Sequence, residues 1–392
     1  MQKMKVLYFG DAGCSDSDFP LIRALQLQGI DIYSYFYICN HNSKAGLFNI
    51  QLKKKNAIIP ASQYEGLKIY SGYLDLTKMF VINHFYSSRR NVCYWLYGNI
   101  WRKLYKHMEE KKAQILHLTW PLMAGQRILY GLNLKIVQTI HDPFPHSGQY
   151  TPQKEAGRIE AIRKADSIIL LSTPQLESFC EYYHVSRNKV LLNKMGEFNH
   201  LRLLQTSKLH ECKEPYILYV GQIQEHKGIE FLLQAMVKTH SMYPDVRLII
   251  AGKGKFPFNI SLYENLDYIE FKNYYIEVKE MVDLLVNCLF AVCPYKDATQ
   301  SGVVQTAFSL DVPLIVTNVG DLPLSVQDGV TGKVVPPCNV NALSEAINEL
   351  LSCPNQLELY KNNIDKIWRK GQRWEPIAQK YIEEYKKKIS NN

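Results

Sequence analysis

Three short stretches of this 392-residue chain hold residues whose types and spacing could do chemistry. In Tyr219-Val-Gly-Gln-Ile-Gln-Glu-His-Lys227-Gly228 an apolar, strand-like run opens into a glycine turn. A Lys-Gly pair then precedes a helical pattern. Backbone amides at such a turn can approach phosphate closely, and lysine supplies a point charge. An ordinary loop with a solvated lysine fits these residues equally well. In Asp297-Ala-Thr-Gln-Ser301-Gly302-Val303, Thr299, Gln300 and Ser301 offer neutral hydrogen-bonding groups, and Ser301 can cap a helix through 304–310. That helix N-terminus would face an anion or hydroxyl groups. Taken alone, the stretch favours a plain N-cap. In Thr139-Ile-His141-Asp142-Pro143 a strand ends in two polar residues, where open α/β sheets place their ligands. The bland alternative is a turn with Asp142 before a proline.

These stretches need a scaffold, and the hydrophobic pattern gives one. Short apolar runs alternate with amphipathic stretches, which predicts α/β architecture with parallel sheets. Strands are expected at 5–10, 30–37, 115–118, 135–141 and 167–172, with a helix over 19–28 ending at Gly29. A polar stretch at 197–215 has weak periodicity and reads as a linker. The pattern then restarts, with strands at 216–220, 247–251, 290–294 and 314–317 and a helix over 229–242. Two Rossmann-like domains follow, 1–196 and 216–370. Residues 371–392 form a terminal helix whose Trp374, Ile377, Ala378, Tyr381, Ile382 and Tyr385 share one face. Such an aromatic stripe demands burial, and the first domain is the expected partner.

Composition bounds the classes. A hydrophobic fraction of 46% permits a packed core, and the length suits two domains of roughly 150–200 residues. The net charge of +9 suits anionic small ligands or an anionic surface, and no nucleic-acid reading motif accompanies it. Nine scattered cysteines, without CxxC or His clusters, argue for reduced thiols in a cytosolic protein and against a structural metal. The N-terminus lacks a signal-like apolar segment, and no apolar run is long enough to span a bilayer.

In order, YILYVGQIQEHKGIEFLLQA, RLIIAGKGKF, PYKDATQSGVVQTAFSLDVPLIVTNVGDLPLSVQDGVTGKVVPP and WEPIAQKYIEEYKKK resemble the family-4 retaining glycosyltransferases of GT-B fold. The likeness covers nearly all of 216–388 and is weaker over 1–196, where FGDAG, TIHDP and KADSIILLS correspond by type and order. The resemblance implies two Rossmann-like domains facing a cleft, with the terminal helix crossing back to the N-terminal one. It implies transfer of a hexose-type sugar, with retention and without metal or other cofactor. The donor would be a nucleotide diphosphate sugar, UDP- or GDP-linked, and the acceptor a growing polysaccharide or lipid-linked saccharide. Gly221, Gln222, Lys227 and the loop through Thr299, Gln300, Ser301, Gly302 and Val303 would meet the donor diphosphate. The base would lie near Gly254, Tyr274 and Tyr275, and His141 with Asp142 would face the transferred sugar. Two departures stand out. Gln222 occupies a place where many members carry Arg. Thr299 and either Thr306 or Ala307 stand where many carry a pair of Glu. They describe a variant site, with a non-catalytic nucleotide-sugar-binding or scaffold subunit as the alternative.

Asp16-Ser-Asp18 spells a metal motif of the other glycosyltransferase fold but reads as a turn and helix cap. The basic and aromatic stretch 84–107 reads as a packed helix with a solvated basic face; membrane-surface contact is the alternative. The expected location is the cytoplasm, with peripheral attachment to the inner face of the membrane as the variant.

Overall fold

A computed structural model of the chain describes residues 3–88, 92–96, 99–144, 150–171, 175–205, 214–298 and 302–390. The chain divides into two compact units, Met1–Gly196 with Arg373–Asn392, and Glu197–Gln372.

The first unit is built on an eight-stranded sheet. Its strands are β1 (Lys5–Asp11), β2 (Asp31–Cys39), β3 (Asn56–Pro60), β4 (Met79–His84), β5 (Ile115–Leu118), β6 (Lys135–Ile140), β7 (Ser167–Leu170) and β8 (Val190–Leu192). The order is β3-β4-β2-β1-β5-β6-β7-β8, with every pairing parallel except β3 on β4. The central strands are buried along their length, so they appear in sequence as continuous apolar runs. The order reverses at β1, which lies between β2 and β5. The crevice beyond the carboxyl ends there is the expected ligand position for this topology.

The second unit repeats the plan with six parallel strands in the order β11-β10-β9-β12-β13-β14. They are β9 (Tyr216–Val220), β10 (Arg247–Ala251), β11 (Ile269–Lys272), β12 (Ala291–Cys293), β13 (Leu314–Thr317) and β14 (Gly332–Val335). The reversal falls between β9 and β12. The chain thus ends β9 and β12 side by side, one entering 221–228 and the other 294–302.

The final helix, Trp374–Ser390, packs on the first unit. Trp374, Ile377, Tyr381, Ile382 and Tyr385 are buried. His117 Nδ1 and Tyr385 Oη lie 2.5 Å apart, Ser167 Oγ donates to Glu384 Oε1 at 2.6 Å, and Asn193 Nδ2 donates to the Ile377 carbonyl at 3.1 Å.

Several elements differ from expectation. The first helix spans Ser15–Leu27 and begins four residues before the expected 19, because Pro20 is accommodated in its first turns. Asp16 and Asp18 therefore lie inside that helix and do not cap it. Asp18 is buried and accepts hydrogen bonds from Tyr8 Oη at 2.7 Å and Thr119 Oγ1 at 3.3 Å. Burial holds its carboxyl well above the usual carboxylate range. Within the stretch read as a linker, Asn199–Leu204 form a 3-10 helix of the second unit, and Phe198 N–H donates to Ser309 Oγ at 2.7 Å. Residues 206–213 of that stretch lie outside the described residues. In the 84–107 stretch, helix Ile100–Glu109 buries Ile100, Leu104 and Met108 and leaves Arg102, Lys103 and Lys106 outside. Among the described residues no helix is long and apolar enough to cross a membrane.

Candidate functional site

In the second unit the crevice between β9 and β12 is lined by backbone that glycine alone permits. Gly228 takes φ +62°, and a Cβ there would overlap the Pro294 carbonyl. Gly252 takes φ +153°, and a Cβ would overlap the carbonyl of Gly221. The two loops after β9 and β10 are consequently stitched together. Gly221 N–H donates to the Ala251 carbonyl at 3.0 Å and Ile223 N–H to the Lys253 carbonyl at 3.1 Å. On the other side Lys296 N–H donates to the His226 carbonyl at 2.8 Å, tying the loop after β12 to the Lys227 turn. Gly221, Lys227, Gly254 and Val303 are thus brought to one end of one sheet. A Cβ built on Gly221 would lie 3.9 Å from Val303 Cγ2.

Lys227 is the cation of this end. Its Nζ sits 3.8 Å above the centre of the Tyr295 ring, a cation–π position that orders a half-buried side chain. Burial lowers its pKa. Among the described residues no carboxylate pairs with it. Lys296, on the adjoining loop, is already neutralised by Glu230 at 3.1 Å and Glu225 at 3.5 Å. Gln222 is exposed, its amide oxygen accepting from Gln224 Nε2 at 2.9 Å.

Helix Gly302–Ser309 starts at this end, two residues before the expected 304. Thr299, Gln300 and Ser301 lie outside the described residues. A Cβ on Gly302 would meet no atom of the described residues within 4 Å. Thr306 is buried, its hydroxyl donating to the Gly302 carbonyl at 2.8 Å, and Ala307 is fully buried. Tyr274 and Tyr275, about half exposed, follow the carboxyl end of β11. The Tyr274 hydroxyl donates to Glu280 at 2.6 Å. Asn273 links them to the glycine loop by accepting from Gly254 N–H at 3.2 Å.

His141 and Asp142 belong to the first unit, at the carboxyl end of β6. They line a cleft of about 460 Å³ with Thr119, Trp120, Met123 and the helix Pro152–Lys164. Among the described residues His141 Nε2 is buried with no hydrogen-bond partner. Burial lowers the pKa of the imidazole, the Asp142 charge opposing, so the ring is neutral near pH 7. Asp142 is held by its backbone, Arg158 Nη1 donating to its carbonyl at 3.0 Å. Beneath lies His117, fully buried between Tyr385 and Thr139 Oγ1 (2.8 Å), its pKa pushed down to about 3 by burial.

Sequence reasoning missed Tyr295, Asn273, His117 and Glu155. Each acts through a fold-dependent neighbour, although Tyr295 sat within the quoted PYKDATQSG stretch.

Two doubly wound parallel sheets, each with its crevice at the order reversal, give the chain a GT-B fold. Residues 214–353 match the family Glycosyl transferases group 1. The chain is 27% identical to an uncharacterized glycosyltransferase of Methanocaldococcus jannaschii over 56% of its own length and 59% of that protein's. It spans about half the length of the curated relatives it matches. Among solved structures, Anabaena HepE in complex with UDP and glucose superposes with a TM-score of 0.68 at 14% identity, covering 98% of this chain and 100% of that one. Sucrose-phosphate synthase from Thermosynechococcus elongatus gives 0.67 at 17% identity, covering both chains fully.

Proposed function

We propose that this protein is a glycosyltransferase that takes a hexose-type sugar from a UDP- or GDP-linked donor. It passes the sugar to a growing polysaccharide or lipid-linked saccharide, with retention and without a metal. The observation that carries the reading is the crevice between β9 and β12. Among the described residues it offers a glycine-locked loop, a lysine with no carboxylate partner and a Gly302 whose Cβ position meets no atom within 4 Å. Such a place suits a diphosphate, since Lys227 adds charge and the start of helix Gly302–Ser309 adds dipole. The group 1 match over this segment and the UDP bound by HepE support it. Neutral His141 then serves as a hydrogen-bonding group toward the sugar, and Tyr274–Tyr275 lie where a base would stack.

The protein works in the cytoplasm in this reading. Exposed Val92 and Leu96, and the basic residues of Ile100–Glu109, are suited to peripheral contact with a membrane's inner face. A second reading, a non-catalytic nucleotide-sugar-binding subunit, is favoured by Gln222 and by the inward turn of the Thr306 hydroxyl.

Hydrolysis of UDP-, GDP- and ADP-sugars without acceptor tests the choice. A transferase releases nucleotide from one donor, and Gly302→Val abolishes release while leaving the melting temperature unchanged. Donor binding with no release or transfer would favour the subunit reading, and no binding would overturn both.

A further inference from the structure

Two lysines stand on the loops where β9 and β12 end, and the fold treats them differently. Lys296 is neutralised by Glu230 at 3.1 Å and Glu225 at 3.5 Å. Among the described residues Lys227 pairs with no carboxylate, and its Nζ lies 3.8 Å above the centre of the Tyr295 ring. A ring attracts an ammonium through its quadrupole but carries no net charge, so the cation is held without being neutralised. A carboxylate in the same place would have to release the lysine before an incoming anion could take it.

The ring is itself fixed. Tyr295 is 1% exposed, and its carbonyl accepts from Thr317 Oγ1, at the end of β13, at 2.6 Å. On one side of it Pro294 presents its carbonyl to Gly228, with no room for a Cβ between them. On the other, Lys296 N–H donates to the His226 carbonyl at 2.8 Å. These two contacts set the backbone of 294–296 against that of 226–228, and ring and ammonium meet in the middle of that frame. A lysine that closes on an anion from solution loses rotamer freedom as it binds. One already seated on a ring has given up much of that freedom beforehand.

We infer that Tyr295 is a positioning residue of the donor site: its ring seats Lys227 and leaves the whole charge for the diphosphate. The inference rests on the reading of this crevice as the diphosphate site and adds the side chain through which Lys227 is held there.

The test is calorimetric titration of UDP and of GDP into the full chain and its Tyr295 variants. For the nucleotide that binds, Tyr295→Leu should weaken affinity about 3- to 10-fold, and Tyr295→Phe, which keeps the ring, should restore it. Mono-, di- and trifluorinated phenylalanines at position 295 drain the quadrupole while keeping the ring's shape, so affinity should fall stepwise along that series. In a Lys227→Ala background Tyr295→Leu should change affinity by less than about twofold, because the ring acts only through the lysine. Circular dichroism reports the fold, and the fluorinated series decides the matter if Tyr295→Leu unfolds the chain. Equal or tighter affinity in a folded Tyr295→Leu, a flat fluorinated series, or the same loss with and without Lys227 overturns the inference. Binding that falls in Lys227→Ala but ignores fluorination sinks the role of Tyr295 alone. Absence of binding for both nucleotides sinks the diphosphate reading and the inference with it.

Discussion

The two units share a plan, a parallel sheet reversing at its first strand, yet they equip the crevice differently. In the second unit the crevice is made of backbone. Gly228 and Gly252 adopt positive φ against carbonyls that leave no room for Cβ, and the cation rests on an aromatic ring. In the first unit it is made of side chains from distant segments: His141 after β6, Glu155 on the following helix, and His117 pinned by Tyr385 from the chain's end. A backbone site is rigid and suits an invariant group such as a diphosphate. A side-chain site can be re-cut for one ligand or another.

If that contrast is right, the two units fail in different ways. The largest effect should follow truncation after Lys370. Five large side chains of the last helix are buried, each worth about 1.5–3 kcal/mol, and the sum rivals the stability of a whole domain. The truncated chain should be aggregated or molten in near-UV circular dichroism; a native spectrum would show that the first unit does not need its terminal helix. Next, Gly252→Ala should destabilise the second unit by about 3 kcal/mol or more, since the added Cβ meets the Gly221 backbone. Denaturant melts that leave the midpoint unmoved would disprove the backbone lock. A smaller effect concerns His117. Its folded pKa of about 3 lies below the unfolded value, so its stabilisation is complete above about pH 6.5 and is lost as pH falls. The stability difference between the native chain and His117→Gln should therefore narrow by about 2 kcal/mol from pH 7 to pH 5. Asp18, whose raised pKa acts in the opposite sense, is common to both proteins and drops out of the comparison. A difference independent of pH would mean that His117 titrates normally.

The same contrast explains what could be read from the residues. Strands β5, β9, β10 and β13 were legible to the residue because buried parallel strands are uninterrupted apolar runs. The Lys227 turn was legible because glycine spacing is written locally. β3, with half-buried polar neighbours, and β8, three residues long, lack a period to detect. Asp16–Asp18 misled because a helix entered through Pro20 looks like a turn, and only the fold brings Tyr8 and Thr119 to the Asp18 carboxylate. Glu155 looked like any first-turn glutamate. Its burial beside Arg158, 3.9 Å from Oε2, is a property of the packed cleft.

The central claim is that the crevice of the second unit holds the donor's diphosphate on Lys227. Calorimetric titration of UDP and GDP into the native chain and Lys227→Ala tests it most directly. A charge-assisted contact contributes about 1.5–3 kcal/mol, so the account predicts affinity for one nucleotide falling about 10- to 150-fold in the variant with no change in fold. Equal affinity in both proteins would contradict it.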